Sequence, residues 1–275
     1  MRYRIIDSNY LRRSELRTYL EASRSNGVVL MDLISVEMHK KNAVSSARAS
    51  TEILRDHPRR TMVLRPTATF YHWQLYSSAK VGRLEDAKQT RGFDGYAQGL
   101  HDPVNSLAAE RHAKTREAEA VQIIAQLTRD SRHIPRTFKE FTRTLRPEQV
   151  VQMRTRVGGF DRDLQFRLLN WSRDIAIELI QKVVTPPRYS PNQTIRLTDT
   201  FVFRYALCLV LLYTHWVYFG QSVDRSTRKF TNDVVDMHVA ALSTFFAGVL
   251  SADLSVLAVS KQARFILRSV GGYVG

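Results

Sequence analysis

Cysteine is almost missing from this chain, which has one in 275 residues. A single cysteine excludes an internal disulfide framework and a cysteine-rich zinc site. Cys208 stands in an apolar run and is expected to be buried. The first residues, MRYRIID, are too charged to form the apolar core of a secretory signal. Both observations predict a protein of the reducing cytoplasm.

Several enzyme motifs are also missing. None of the eight histidines has the spacing of a zinc site. There is no His-Glu-x-x-His motif, no phosphate-binding P-loop and no Gly-x-Gly-x-x-Gly turn after a strand. A nucleophile elbow is absent as well. These absences argue against a zinc protease, a P-loop NTPase, a dinucleotide-binding enzyme and a triad hydrolase.

Long hydrophobic runs are limited to one, FVFRYALCLVLLYTHWVYFG at residues 201–220. Its length is close to that of a membrane-spanning helix. However, the run contains Arg204 and His215, and Asp199 comes just before it. Charged groups at the centre of a bilayer are costly. The run is therefore predicted to be a buried core helix, and no membrane association is expected.

Acidic residues are too few to balance the basic ones. The 26 Asp and Glu face 41 Lys and Arg, which leaves a net charge of +15. Such an excess attracts polyanions, which include nucleic acid, an anionic membrane and an acidic protein. Most of the basic residues are arginines, whose planar guanidinium group suits phosphate oxygens. The composition makes nucleic acid a plausible partner.

The first 66 residues alternate between strand and helix patterns. Short apolar runs predict strands, and longer stretches with helical spacing predict helices. The predicted strands are 3–6, 28–35 and 60–64, and the predicted helices are 11–25 and 36–56. This alternation predicts a parallel α/β sheet with helices on both faces.

From residue 67 to 186 the strand pattern disappears, and helical stretches follow one another. Helices are predicted at 103–130, 136–145, 147–156, 161–184, 199–219, 231–247 and 255–269. A proline-rich loop is predicted at 183–192, and a short apolar segment stands at 248–251. Because the α/β pattern lies at both ends of the chain, we predict one core built from residues 1–66 and 187–275. Residues 67–186 would be a basic helical insertion.

Acidic residues follow or flank the predicted strands. Asp7 ends the first strand and Asp253 follows the segment 248–251, and carboxyl ends of parallel strands share one edge where ligands bind. Glu37 is expected to begin the helix after the second strand, and Asp236 to begin an apolar helix. Oxygen ligands suit Mg²⁺ or Mn²⁺, and close carboxylates repel one another without a cation. Asp32, within the second predicted strand, is left out because it is expected to face solvent or the rim.

Four segments around these acids resemble the motifs of PIN-domain nucleases. They are IIDSNYL (5–11), LISVEMHKK (33–41), DMHVAA (236–241) and LSADLSV (250–256). Their order and spacing carry the resemblance, which covers about residues 1–66 and 228–270. It implies a three-layer α/β/α sandwich around a central parallel sheet. It also implies a nuclease that uses Mg²⁺ or Mn²⁺ to hydrolyse phosphodiester bonds, more often in RNA than in DNA.

The resemblance also implies roles for individual residues. The catalytic and metal-binding acids would be Asp7, Glu37, Asp236 and Asp253, with Asp233 as a further ligand. Asp233 and Asp236 compete for one position, and the Val-Ala-Ala that follows Asp236 favours the latter. Residues that would orient ligands or phosphate by hydrogen bonds are Ser8, Asn9, Asn232 and Ser251. Serine at 251 replaces the usual threonine and keeps its hydroxyl.

Arginines of the helical block could hold a nucleic-acid backbone near such a site. The candidates are Arg91, Arg132, Arg136, Arg143 and Arg146. A solvated helical surface explains the same residues without a ligand. The aromatic residues 70–73, FYHW, fit core packing better than stacking on unpaired bases.

Each acid also has an ordinary structural explanation. Asp7 could be a turn residue, and Glu37 a favourable charge in the first turn of a helix. Asp236 could lie on a polar helix face, and Asp253 could be a helix N-cap. Two functions therefore stay open: an active nuclease, such as a toxin, defence or processing ribonuclease, and a catalytically silent PIN-like scaffold that binds nucleic acid or protein. In either case the helical block could hold a protein partner or inhibitor, and the chain could form a homo-oligomer.

Overall fold

A sheet of four parallel strands brings the two ends of the chain together. The computed structural model describes residues 1–73, 83–102, 106–156, 159–183, 196–221 and 227–275. Its strands are β1 (Arg2–Ile6), β2 (Asn26–Leu30), β3 (Thr61–Val63) and β4 (Val249–Leu250). They lie in the order β3-β2-β1-β4, and all pairs are parallel. The predicted α/β class is confirmed.

The strands meet in register at their apolar residues. Ile5 pairs with Val29 on one side and with Val249 on the other, and Val29 also pairs with Met62. Ile5 and Val29 are fully buried, as expected for strands covered by helices on both faces. Gly27 in β2 is required sterically, because a Cβ atom there would lie 2.6 Å from the Tyr3 ring.

The helices between these strands differ from the prediction. They are α1 (Ser14–Glu21), α2 (Asp32–His39) and α3 (Ala43–Arg55). The predicted strand 28–35 is wrong beyond Leu30, because the apolar residues after it belong to α2. A short buried apolar run has no periodicity that separates strand from helix. The predicted single helix 36–56 is also wrong, since Asn42 interrupts it in the left-handed conformation with φ 47°.

Between β3 and β4 the regular elements of the described residues are helices, joined by turns and loops, and one isolated bridge links Leu64 and Glu85. The helices are α4 (Thr67–Trp73), α5 (Ala87–His101), α6 (Ser106–Asp130), α7 (Ile134–Thr144), α8 (Pro147–Thr155), α9 (Arg162–Val183), α10 (Phe201–Tyr218) and α11 (Thr227–Ser243). After β4 the chain ends with α12 (Leu254–Ser269). The predicted loop 183–192 lies, except for Val183, outside the described residues.

The apolar run near residue 210 forms the central helix of the helical region. α10 packs against α8, α9, α11 and α12, and Cys208 within it is fully buried. Within the described residues it is the one helix long and apolar enough to cross a membrane, and 89% of that window is buried inside the protein. Burial of this kind is typical of a core helix.

The charged residue in α10 is accommodated by acceptors around it. The Arg204 guanidinium donates to the carbonyls of Thr198 at 3.1 Å and Tyr273 at 2.6 Å, and to the Thr244 hydroxyl at 3.0 Å. Asp199 provides a further acceptor at 3.5 Å. A buried charge is tolerated when such partners surround it.

Two of the aromatic residues predicted to pack in the core do so. Phe70 is buried with its ring edge-on to Phe201, and Tyr71 also packs edge-on to that ring. The side chains of residues 72 and 73 lie outside the described set. The division of the chain into a core and an insertion stays a prediction, because α10 contacts helices from both parts.

Candidate functional site

The carboxyl ends of β1 and β4 lie side by side at one edge of the sheet. Ile6 pairs with Leu250, and the Asp7 backbone N–H donates to the Leu250 carbonyl at 2.9 Å. Asp7 and Ser251 directly follow this pair in the chain. Parallel pairing thus brings together residues that are far apart in sequence, as the positions of Asp7 and Asp253 led us to expect.

Asp7 is held by hydrogen bonds from two side chains. Its Oδ2 atom accepts from the Ser251 hydroxyl at 2.6 Å and from the Asn9 amide nitrogen at 2.8 Å. The Asn9 carbonyl oxygen in turn accepts from the Ala252 backbone N–H at 2.9 Å. Asp7 is only 3% exposed. These contacts fix the carboxylate of Asp7 to the turn after β4.

The environment of Asp7 disfavours its charge despite these bonds. Burial raises the pKa of the Asp7 carboxyl, and the nearby carboxylates of Glu37 and Asp253 raise it further. The Ser251 hydroxyl and the Ser8 backbone N–H lower it, and the net shift is upward. Hydrogen bonds orient this group but do not supply the positive charge that would compensate it.

Glu37 reaches the same edge from the second turn of α2. The prediction that it begins the helix is wrong, because α2 starts at Asp32. Its Oε2 atom accepts a short hydrogen bond from the Ser8 hydroxyl, and its Oε1 atom is 3.3 Å from the Lys40 ammonium nitrogen. Glu37 therefore joins α2 to the turn that carries Asp7.

Asp236 lies near the middle of α11, not at its start as predicted. Burial raises the pKa of Asp236 to about 8, with further upward contributions from Asp7, Asp253, Asp233 and Glu37 in that order. The contributions that follow burial come from neighbouring carboxylates, which disfavour a further negative charge. All five predicted metal ligands thus belong to one electrostatically coupled group, which we call the acidic cluster.

Asp253 has a structural role within this cluster. It is the N-cap of α12, and its Oδ1 atom accepts from the Ser255 backbone N–H at 2.7 Å and hydroxyl at 2.6 Å. Its own N–H donates to the Ser251 hydroxyl oxygen at 2.9 Å. The ordinary reading of Asp253 as a cap is therefore correct, and a cap can still have a free carboxylate oxygen for a ligand.

The chemistry of the acidic cluster suits a hard divalent cation, since all its ligand atoms are carboxylate oxygens. Its spacing does not form a finished site. Within the described residues, no group of three or more His, Cys, Asp or Glu side chains is arranged to hold one metal ion. Binding would therefore require these side chains to move closer together.

The remaining predicted site residues have less bearing on the geometry of the site. Asn232 is exposed and Asp233 partly exposed on α11. The five arginines predicted to bind nucleic acid are all exposed: Arg91, Arg132, Arg136, Arg143 and Arg146. Arg136 pairs with Glu140 at 2.8 Å, and Arg146 pairs with Asp163 at 2.8 Å. They are distributed over several helices and the turns between them.

The sequence prediction missed the position of Asp32 and a cavity beside it. Asp32 begins α2 and accepts hydrogen bonds from the backbone N–H and the hydroxyl of Thr67, so it neither lies in a strand nor projects freely into solvent. The cavity, of about 780 Å³, lies at the carboxyl ends of β2 and β3, and its wall includes His39, Gly92 and Gly95. The glycines of α5, spaced along one helix face, are the signal that could have indicated it.

No known family model matches this chain, and no curated protein or solved structure matches it either. The fold and site therefore define a class by their geometry alone. It is an α/β protein with a parallel sheet, flanking helices and an acidic cluster at the carboxyl edge of that sheet.

Proposed function

We propose that this protein is a nuclease that depends on a divalent metal and hydrolyses phosphodiester bonds, with RNA favoured over DNA as the substrate. The observation that carries the proposal is the acidic cluster, in which carboxylates from both ends of the chain repel one another at the edge of a parallel sheet. The resemblance of the surrounding segments to PIN-domain motifs supports the same function. It also favours Mg²⁺ or Mn²⁺ as the ion.

The residues of the acidic cluster and their neighbours would have the following roles. Asp7, Glu37, Asp236 and Asp253 would hold the ion, with Asp233 beside them. Ser251 and Asn9 would keep the Asp7 carboxylate oriented through the bonds at 2.6 and 2.8 Å. A bound divalent ion would supply positive charge to activate water and stabilise the phosphate oxygens.

The electrostatics of Asp236 support a cation at this place. A carboxyl with a pKa of about 8 retains its proton in neutral solution. A divalent cation would replace that proton and compensate the remaining carboxylates, which also would allow them to approach one another. The proposal thus accounts for why the acids are coupled but not yet arranged as ligands of one ion.

The charge of the whole protein supports a polyanionic substrate. A net charge of +15 attracts nucleic acid by long-range electrostatics, before any direct contact forms. The exposed arginines of the helical region, Arg91, Arg132, Arg136, Arg143 and Arg146, would contribute to that attraction. RNA is favoured over DNA by the family resemblance alone.

The test is cleavage of labelled single-stranded RNA and DNA in Mn²⁺, Mg²⁺ or EDTA. Wild-type protein should cut with a divalent ion and not with EDTA. Asp7→Asn should reduce the rate about 100-fold or more, because it removes a charged ligand from the site. Glu52→Gln is the matched control, since Glu52 is an exposed acid on α3 outside the cluster. The proposal fails if nothing is cut and Asp7→Asn matches wild type in metal-dependent thermal stabilisation.

A catalytically silent scaffold is the second candidate. It is favoured by the absence, within the described residues, of three acids arranged around one ion, and by the ion pair of Glu37 with Lys40 at 3.3 Å. A scaffold would bind labelled RNA without cutting it. Its affinity for RNA would be the same with Mn²⁺ as with EDTA, whereas the nuclease requires the ion for turnover.

A further inference from the structure

Arg156 is a charged residue whose hydrogen-bonding capacity is unused. It caps the C-terminus of α8 in the left-handed conformation, with φ 53°. Its Nε and Nη2 atoms are buried, and neither has a hydrogen-bond partner in the described part of the chain. These two N–H groups form one edge of the guanidinium plane, the edge that binds carboxylate and phosphate in a bidentate manner.

A second buried nitrogen without a partner belongs to α10, the helix that packs against α8. His215 in α10 is 8% exposed, and its Nδ1 atom is buried without a partner among the described residues. Burial lowers the pKa of His215, and the charge of Arg156 lowers it further. Tyr218 follows one turn later on α10, with its ring centre 4.4 Å from the Arg156 guanidinium carbon.

This arrangement is unfavourable without a further group. A buried donor that lacks an acceptor destabilises the folded state, and more so when it is charged. The left-handed conformation of a residue other than glycine adds backbone strain. Burial lowers the pKa of Arg156, and the electrostatic interaction with Tyr218 opposes that shift.

The buried arginine of α10 shows how this chain satisfies such a group elsewhere. Arg204 meets carbonyl, hydroxyl and carboxylate oxygens on all sides. Arg156 packs on the face of the Tyr218 ring instead. In the described part of the chain no oxygen accepts from its Nε or Nη2 atoms, and the partly exposed ring of Tyr218 puts the site just below the surface.

We infer that Arg156 and His215 form a binding site for a phosphate-type oxyanion. Two oxygens would accept from Nε and Nη2 of Arg156, and one would accept from the Nδ1–H tautomer of His215. The site is built by α8 and α10, whereas the acidic cluster is built by the ends of β1, α2, α11 and α12. It does not rest on the proposed nuclease activity. The oxyanion is either a free phosphate or a phosphate of a nucleic-acid backbone.

The test compares two probes in metal-free, chloride-based buffer with EDTA. Inorganic phosphate is titrated by calorimetry, and a fluorescent decathymidylate without terminal phosphates is titrated by anisotropy. Arg156→Lys keeps the charge and removes the bidentate edge. Arg156→Gly removes the guanidinium at a position where glycine is favoured, so the fold should be retained. Arg154→Lys, on the exposed face of α8, is the matched control.

We expect wild type and Arg154→Lys to bind with the same Kd, and both Arg156 variants to bind at least tenfold more weakly. A loss confined to inorganic phosphate identifies a free phosphate as the ligand. A loss with the oligonucleotide identifies backbone phosphate. If the Arg156 variants bind both probes as wild type does, or wild type binds neither, the inference is overturned.

Discussion

The carboxyl edge of the sheet and the contact between α8 and α10 carry opposite charges and differ in how those charges are supported. At the sheet edge, Asp7 receives hydrogen bonds from Ser251 and Asn9. Between the helices, Arg156 Nε and Nη2 and His215 Nδ1 have no acceptor among the described residues. At the sheet edge, hydrogen bonds orient the charge of Asp7 but do not neutralise it. Between the helices, no hydrogen bond among the described residues orients the Nε and Nη2 donors of Arg156, and nothing there neutralises its charge.

This difference separates two requirements that a charged group places on its surroundings. Hydrogen bonds fix the position of a charge and lower the cost of burying it, but they do not remove repulsion between like charges. Asp7 in the acidic cluster meets the first requirement, and a cation would supply the opposite charge. The Arg156–His215 pair meets neither, so an oxyanion would supply both acceptors and countercharge.

The largest expected effect contrasts the partnered arginine with the unpartnered one. Arg204→Met removes donors from four acceptors and should destabilise the protein by about 3–5 kcal/mol, because it breaks a buried network. A chain of this size should lose about 6 °C or more in Tm. Arg156→Met in phosphate-free buffer removes donors that lack an acceptor, so it should not lower the free energy of unfolding by more than about 1 kcal/mol.

Thermal unfolding of both variants in the same buffer measures this contrast. Equal losses of Tm would mean that Arg156 is as well satisfied in the folded protein as Arg204. The comparison between the two regions would then fail. The contact between α8 and α10 would contain no buried donor that lacks an acceptor.

A smaller effect is expected from the hydrogen bonds that orient the acidic cluster. Ser251→Ala removes the hydroxyl that donates to Asp7 and accepts from the Asp253 backbone. If the cluster binds a divalent ion, the affinity for Mn²⁺ should fall about 10–100-fold, as is typical when a group orienting a ligand is lost. Ser269→Ala on α12 is the control, since that hydroxyl bonds only within its own helix turn. An unchanged affinity in Ser251→Ala would show that orientation of Asp7 does not matter for the ion.

The residues at the sheet edge could be predicted from the sequence, because the carboxyl ends of parallel strands lie at the same edge of a sheet. Asp7 follows a short apolar run, and Ser251 and Asp253 follow another, so their meeting at one edge could be predicted from the strand pattern. The α/β class and most of the later helices were predicted for similar reasons. The start of α2 could not be predicted, because its apolar residues are buried on several sides and do not show a helical period in the sequence.

The Arg156–His215 pair had no signal in the sequence. An arginine after a helix is usually a surface residue, and a histidine in an apolar helix is usually a packed one. Burial of the Arg156 edge follows from the packing of α8 on α10, which is a tertiary contact between segments about 60 residues apart. Local pattern also placed Asp236 at a helix start, whereas the helix begins earlier, at Thr227.

A pH-dependent effect tests the burial and the repulsion that raise the pKa of Asp236 in the acidic cluster. Asp236 has a pKa raised from 3.8 to about 8 in the folded protein. Between these values the folded state binds more protons than the unfolded state, so the stability from this group falls as pH rises. Asp236→Asn removes that loss. In EDTA its Tm should exceed that of wild type by about 2 °C or more at pH 8, with a smaller difference at pH 5.

Glu52→Gln provides the control for this measurement, because it removes one negative charge at an exposed position of α3. Its difference in Tm from wild type should be the same at both pH values. Saturating Mn²⁺ should reverse the order at pH 8, since a bound cation stabilises wild type and not a variant that lacks the carboxylate. If Asp236→Asn is no more stable than wild type at pH 8 in EDTA, the carboxylates do not repel one another strongly. The sheet edge would then lack the excess negative charge that distinguishes it from the Arg156–His215 pair.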